Sequence, residues 1–129
     1  MMRDIERYLS DLKEMNLNDK KDLENKRSFY AVSMVIFAIL NRAIDIGNEI
    51  ISGSESISLP GTYKDTFEIL AQHKVIGPRL ASKMVKLMKY RNIIAHDYYE
   101  MDISEVYKLK NDIEEVSEFI LAIKNFLKK

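Results

Sequence analysis

Cysteine and tryptophan are both absent from this sequence of 129 residues. Without cysteine, the chain has no disulfide framework and no thiolate that would serve as a nucleophile or a metal ligand. This composition suits a reducing compartment, and we therefore expect a cytoplasmic protein. Residues 1–7 carry charges where a signal peptide has an apolar run, which argues against secretion.

A long hydrophobic run is also missing. The longest apolar stretch, residues 32–40, is interrupted by Ser33 and followed by Asn41 and Arg42. It is too short to cross a bilayer, since a membrane-spanning helix takes about 20 apolar residues. We expect this stretch to form a buried core helix, and we predict no membrane contact.

The chain has no excess of charge of either sign, because Lys+Arg and Asp+Glu each number 20. A neutral chain exerts no overall attraction on nucleic acid, so any binding has to come from local charge. The charges are uneven, and no acidic residue lies between Glu68 and Asp97. The basic residues of that interval are Lys74, Arg79, Lys83, Lys86, Lys89 and Arg91. A basic segment of this kind is most often a solvated helix face.

Apolar residues at helical spacing run through the whole chain. They predict one domain, residues 1–129. The first helix is predicted at residues 2–15, and the second runs from residue 19 or 22 to residue 51. A short third helix follows residue 62, the fourth starts at residue 78, and the last covers residues 102–127. No strand pattern, repeat or low-complexity segment is evident. The prediction is an all-α, up-and-down bundle of about four to five helices.

Capping residues mark the ends of several of these helices. Asn18 is the expected cap of the second helix, and Gly53 is its expected end. Thr62 and Asp102 are each followed three residues later by an acidic residue, which is typical of a helix start. His73 falls at the end of the short third helix, and we interpret it as a surface or capping residue.

A polar stripe crosses the second helix beyond its apolar part. Its residues are Asn41, Asp45 and Asn48, which fall on one face. Polar groups on an otherwise buried helix need partners, and we predict Arg91 or His96 on a facing helix. Pairing with Asp45 would fix the tautomer of the His96 ring. The alternative is a solvent-facing helix end, which suits Glu49 better than Asp45.

Residues 91–99 contain the side chains with the most chemistry. Arg91 supplies a planar cation suited to phosphate, and His96 can take and give a proton near neutral pH. Tyr98 adds a hydroxyl group and a ring that can stack. Together they are suited to cutting a phosphodiester bond without a metal. The alternative is that Arg91 and His96 only cap carbonyls and pair with acids.

The spacing of Arg91, His96 and Tyr98 resembles the signature of the HEPN ribonucleases. Residues 43–50 look like the second helix of the HepT-like toxins, and residues 60–70 look like their linker and short helix. Residues 87–92 lead into the motif as they do in that family. The resemblance runs from the first predicted helix to the last.

The resemblance implies a homodimer with a composite site. Positions 91 and 96 are about 140° apart on a straight helix, so either the helix loosens near His96 or two copies assemble the site. His96 would be the general acid or base, and Arg91 would hold the phosphate. The ribose 2′-OH would attack, with no metal or cofactor. Asn92, Tyr98 and Asp45 would be supporting residues.

The resemblance also implies partners. Relatives of this kind are toxins that cleave RNA, here tRNA or mRNA, and Lys83, Lys86 and Lys89 are predicted RNA contacts because their segment adjoins the motif. Their antitoxin is a minimal nucleotidyltransferase that attaches AMP to the motif tyrosine. That residue is Tyr98 by position, with Tyr99 as an alternative.

Three other functions stay open at this point. The chain would also suit a non-catalytic HEPN module that pairs with a nucleotidyltransferase, or the substrate-binding subunit of such a complex. A metal enzyme is disfavoured, because His73 and His96 are 23 residues apart and no carboxylate cluster has metal-ligand spacing.

Overall fold

The computed structural model describes residues 2–53, 61–96 and 102–128, with the side chains of residues 95 and 96 left out. These residues form helices, with no strand in the described ranges. The α-helices are α1 (Met2–Glu14), α2 (Lys26–Ser52), α3 (Tyr63–Gln72), α4 (Pro78–His96), α5 (Ile103–Asp112) and α6 (Glu115–Leu127), with a 3-10 helix at Lys20–Leu23. The predicted all-α bundle is confirmed.

The central helix is α2, which packs against α1, α3, α4 and α5. Val32, Ile36, Ile39 and Leu40 are completely buried. By length and composition α2 would be able to cross a membrane, a property that core helices share. Its buried face, packed against four other helices, makes it the core helix that the sequence predicts.

The start of α2 differs from the prediction, because a 3-10 helix precedes it. The carboxylate of Asp19 accepts from the backbone N–H of Lys21, and Asp22 accepts from the backbone N–H groups of Asn18 and Asp19. Asn25 then caps α2 through bonds to the backbone N–H groups of the first turn. The predicted cap at Asn18 is therefore wrong, since Asp19 caps the 3-10 helix and Asn25 caps α2.

The predicted last helix is interrupted, because α5 ends at Asp112 and α6 begins at Glu115. Two short-range bonds make the bend, from the backbone N–H of Val116 to the carbonyl of Ile113 and from Ser117 to Glu114. The buried stripe continues through the bend, so hydrophobic periodicity gives no sign of it. The predicted cap at Asp102 is confirmed, because it accepts from the backbone N–H of Glu105 at 2.8 Å.

The end of α3 also supports a prediction and adds a feature. His73 is the exposed C-cap residue of α3, as expected. Lys74 follows with φ of 60°, in the left-handed region where glycine is usual. Its N–H bonds the carbonyl of Ala71 at 3.1 Å, and the N–H of Val75 bonds the carbonyl of Leu70 at 2.9 Å. This Schellman motif buries Val75 against the end of the helix it terminates.

A glycine allows α3 to approach α2 closely. A Cβ atom at Gly47 would lie 2.8 Å from Thr66 Cγ2 and 3.2 Å from Leu70 Cδ1. Thr66 is buried, and its hydroxyl donates to Asn48 Oδ1 at 2.8 Å. Gly47 and Asn48 thus fix α3 against the C-terminal half of α2, which also carries the polar stripe.

Candidate active site

Arg91 lies on the side of α4 that faces the core. Leu87 and Met88, one turn earlier, are buried, and residues three and four apart share a face of a helix. Arg91 itself is half-buried. Its aliphatic stem therefore runs along the junction of α4 with α2 while the guanidinium reaches the edge of the core.

Two amides hold this guanidinium. Arg91 Nε donates to Asn41 Oδ1 of α2, and Arg91 Nη1 donates to Asn92 Oδ1 at 3.4 Å. The structure thereby confirms the predicted partnership between the polar stripe and Arg91. Neither partner is charged, and within the described residues no carboxylate lies within ion-pairing distance of Arg91. A half-buried cation with neutral partners keeps its full charge for an anionic ligand.

Within the described residues, Asp45 pairs with Arg42. Its Oδ2 lies 3.8 Å from Arg42 Nη1, and Arg42 Nε also lies 3.8 Å from Asp4 Oδ2 on α1. The Asp45 side chain is 53% exposed, which matches the solvent-facing alternative. A pairing of Asp45 with His96 lies outside the described residues, because the side chain of His96 is not among them. The supporting role of Asp45 therefore stays a prediction.

The rest of the stripe serves the fold. Asn48 accepts from Thr66, as described above, and Glu49 is exposed. The three residues of the stripe therefore make three different interactions. Asn41 accepts a hydrogen bond from α4, Asp45 forms an ion pair with Arg42 on the same helix, and Asn48 accepts a hydrogen bond from α3. The sequence placed these residues on one face, but it did not tell them apart.

The three lysines predicted to contact RNA are not equivalent. Lys83 Nζ lies 3.8 Å from Glu115 and 4.0 Å from Glu118 of α6, so its charge is neutralised within the fold. Lys86 and Lys89 are exposed and have no ion pair in the described part of the chain. The geometry therefore favours Lys86 and Lys89 over Lys83 as contacts for a polyanion.

The remaining motif residues fall at the end of α4. This helix continues to His96, and the structure describes the His96 backbone but not its side chain. Tyr98, like Tyr99, lies outside the described residues. Because α4 is helical from Arg91 to His96, positions 91 and 96 are about 140° apart around the helix axis.

An apolar strip leads along α2 to Asn41, and sequence reasoning missed it. Tyr30 and Met34 are 39% and 48% exposed, although Met34 belongs to residues 32–40, which were expected to form a buried core helix. Tyr30, Met34, Phe37 and Asn41 follow one another at steps of four, three and four, which keeps them on one side of the helix. The signal was present in this spacing. It was hidden because the opposite side of α2 is equally apolar.

Comparisons with known proteins show what this chain is similar to. The family model described as "Ribonuclease HepT-like" matches residues 5–123. The mRNA nuclease HepT of Shewanella oneidensis is 33% identical over 82 residues, which cover 63% of this chain and 61% of HepT. The matched segment is thus a little under two thirds of that relative. YutE of Bacillus subtilis is 25% identical over 111 residues, which cover 85% of this chain and 76% of YutE.

Solved structures show the same fold. The tri-AMPylated Shewanella oneidensis HEPN toxin, in complex with an MNT antitoxin, superposes with a TM-score of 0.84 and 25% identity, covering 96% of this chain and 93% of that chain. Bacillus subtilis YutE, a cytosolic protein, superposes with a TM-score of 0.77 and 24% identity, covering 96% and 88%. Since the family model spans nearly all of the described helices, the chain belongs to the HepT-like ribonuclease family.

Proposed function

We propose that this protein is a homodimeric endoribonuclease and the toxin of a toxin–antitoxin pair. The observation that carries the proposal is the Arg91 guanidinium, which is held by the amides of Asn41 and Asn92 and has no acidic partner in the described residues. A preorganised cation of this kind is what a phosphate at the point of cleavage requires. The 33% identity to an mRNA nuclease supports RNA as the substrate.

The reaction proceeds without a metal. The ribose 2′-OH attacks the neighbouring phosphorus, and the bond to the 5′ oxygen breaks, leaving a 2′,3′-cyclic phosphate and a 5′-OH. One His96 takes the proton from the 2′-OH, and a second His96 gives a proton to the departing 5′ oxygen, a type of catalysis worth about 10²–10⁴ in rate. Arg91 stabilises the charge that grows on the phosphate oxygens, and Tyr98 orients the RNA backbone or stacks on a base.

Two copies of the chain are needed for this arrangement. Positions 91 and 96 lie on different sides of α4, so one helix does not present both groups to one phosphate in a single direction. The apolar strip on α2 ends at Asn41, beside Arg91, and its exposed Tyr30 and Met34 are the kind of residues that subunit interfaces bury. A second copy packed on this strip brings its own α4 beside Arg91, and the space between the two α4 helices is the proposed RNA groove.

Lys86 and Lys89 guide the RNA to this groove. Both lie on the exposed side of α4, whereas Lys83 is paired with α6. Positions 89 and 86 are about 20° and about 80° from position 96 around the helix axis, so Lys89 shares a side of α4 with the proposed acid–base residue. The enzyme acts in the cytoplasm, in line with the cytosolic relative.

Inhibition follows from AMP transfer to Tyr98. The tyrosine hydroxyl attacks the α-phosphorus of ATP bound to a nucleotidyltransferase antitoxin, and pyrophosphate leaves. The solved relative that is tri-AMPylated and bound to an MNT antitoxin supports this step. A nucleotide on Tyr98, two residues after His96, would bring negative charge and bulk to the phosphate site and exclude RNA. Tyr99 is the alternative acceptor.

Cleavage of a single-stranded RNA in the presence of a chelator tests the activity. We expect cyclic-phosphate and 5′-OH products, and no cleavage when the attacking ribose carries 2′-O-methyl. His96→Ala should abolish cleavage, and His73→Ala, the matched control at the exposed end of α3, should not change it. Cleavage that survives in His96→Ala would refute the mechanism, and a wild-type dimer that leaves RNA intact would refute the activity.

A further inference from the structure

The Arg91–Asn41 contact uses a particular edge of the guanidinium. An arginine offers two pairs of parallel N–H donors, Nε with Nη2 along the side and Nη1 with Nη2 at the end. Asn41 Oδ1 occupies Nε, so the side pair is no longer available to a ligand. Asn92 accepts from Nη1 at 3.4 Å, which is a long hydrogen bond and leaves that nitrogen a second N–H.

From this contact we propose that Asn41 is a positioning residue for Arg91. Because Asn41 occupies the Nε donor, Arg91 binds the scissile phosphate end-on, through Nη1 and Nη2. The proposal rests on the proposed function for the identity of the ligand. Two parallel N–H groups match two non-bridging phosphate oxygens, and such bidentate pairs fix the orientation as well as the affinity. Asn41 thereby sets the direction from which the phosphate is bound.

The amide of Asn41 adds a donor to the same edge. Arg91 has no acceptor atoms, so the amide must turn its oxygen towards Arg91 and its Nδ2 away. Among the described residues, Nδ2 has no acceptor. The groups that this contact leaves free on the guanidinium and on the amide nitrogen are consequently donors. A fully ionised phosphodiester, which offers only acceptors at its non-bridging oxygens, fits these donors.

Asparagine differs here from aspartate in one decisive respect. A carboxylate at position 41 would bind Arg91 as strongly, but it would cancel the charge and replace the Nδ2 donor with an acceptor. The contrast is visible on the next residue, where Arg42 lies 3.8 Å from a carboxylate oxygen on each of Asp4 and Asp45. The neutral amide orients Arg91 and leaves its charge in place.

Kinetics on the full-length protein provide the first test. Asn41→Ala should lower kcat about 10- to 100-fold, because a misplaced group costs rate, while KM changes by less than about threefold because the guanidinium remains. Asn41→Asp should lower kcat by more and also raise KM. The matched control is Asn48→Asp, which adds the same charge on the same helix face and keeps an acceptor for Thr66. It should leave both constants unchanged.

Nitrogen-15 NMR of the arginine side chains tests the geometry without cleavage. In the wild type, the Arg91 Nε–H should exchange slowly with water, and an uncleavable dinucleotide carrying 2′-O-methyl should shift Arg91 Nη rather than Nε. In Asn41→Ala, Nε–H should exchange at the rate of a free arginine. Arg91→Lys, which lacks these signals, assigns them.

The outcomes separate the two hypotheses. A wild type that cleaves RNA, with Asn41→Asp equal to Asn48→Asp, would overturn the positioning role and leave the ribonuclease intact. A dinucleotide that shifts Nη in a protein with no cleavage activity would support the positioning role and refute the ribonuclease. If Asn41→Ala loses its helical fold, the two aspartate variants, which match asparagine in size, still decide the question.

Discussion

Arg42 lies on α2 and Arg91 lies on α4, where it bonds Asn41, the residue next to Arg42. The two arginines have opposite surroundings. Arg42 lies 3.8 Å from carboxylate oxygens of Asp4 and Asp45, whereas Arg91 bonds the neutral amides of Asn41 and Asn92. A carboxylate partner neutralises a guanidinium, and an amide partner orients it without changing its charge. The difference shows that the partners of an arginine, rather than its exposure, indicate whether it is available to an anionic ligand.

The lysines of α4 repeat this contrast. Lys83 is held by Glu115 and Glu118 of α6, and Lys89, less than two turns later, is exposed without an ion pair in the described ranges. One basic segment of the sequence thus contains a lysine that joins two helices and a lysine that remains free for a partner. The comparison is open to direct test by substitution of the paired and the unpaired charges.

The largest difference in cleavage rate should be between the alanine variants of the two arginines. Arg91→Ala should lower kcat for RNA cleavage about 10²–10³-fold, the usual cost of removing one preorganised charge donor. Arg42→Ala should change kcat by less than about twofold, because its charge is already neutralised. Single-turnover cleavage with saturating protein measures both. Equal losses in the two variants would abolish the distinction between them.

Part of this contrast was predictable. The polar stripe was expected to meet Arg91 or His96, because polar groups on a buried helix need partners, and Asn41 is the member of the stripe that bonds Arg91. The partner of Asp45 was not predictable, since residues on one face still differ by tens of degrees in direction and Arg42 competes for the carboxylate. The acids that neutralise Lys83 come from α6, about 30 residues later, and only the tertiary structure brings them together.

The helix boundaries show the same limit. The helices α3 and α5 begin at the predicted caps Thr62 and Asp102, because a cap is a local interaction. The bend at residues 113 and 114 escaped prediction because the apolar stripe passes through it without a change of period. Helix starts that depend on local capping bonds can therefore be predicted from the sequence. A bend that leaves the buried face continuous cannot be predicted in this way.

Gly47→Val should give the next largest effect, on stability. Asn48 is the member of the polar stripe that supports the fold, and Gly47 beside it leaves space for Thr66 at 2.8 Å from a virtual Cβ. A branched side chain there would push α3 from α2 and lower the free energy of unfolding by about 1–3 kcal/mol. Urea denaturation measures this change.

Gly77→Val is the matched control for this substitution. A Cβ at Gly77 meets no atom within 4 Å. Its free energy of unfolding should stay within about 0.5 kcal/mol of the wild type, as for most surface changes. If both valine variants are equally unstable, the close approach of α3 to α2 is not what Gly47 provides.

A smaller effect should separate Lys89 from Lys83. Lys89→Ala should weaken binding of an uncleavable RNA about threefold to fivefold and reduce the slope of log K against log salt by about one. Lys83→Ala should leave the slope unchanged, because its ammonium is already paired. Titration at several salt concentrations, by fluorescence anisotropy, gives the slopes. A reduced slope in Lys83→Ala would mean that RNA displaces Glu115.

The smallest effect is expected from Asp45→Asn, which tests the neutralised half of the comparison. The carboxylate is 53% exposed and 3.8 Å from Arg42, and such exposed pairs contribute about 0–1 kcal/mol. We expect an unfolding free energy within about 0.5 kcal/mol of the wild type, and the pH profile of kcat then decides whether Asp45 supports His96, as predicted from the sequence, or only pairs with Arg42. A shift of the pH profile at constant stability would instead place Asp45 beside an imidazole, since a carboxylate that orients a histidine also raises its pKa. That result would assign Asp45 to the active site, and Asp4 would then be the carboxylate that neutralises Arg42.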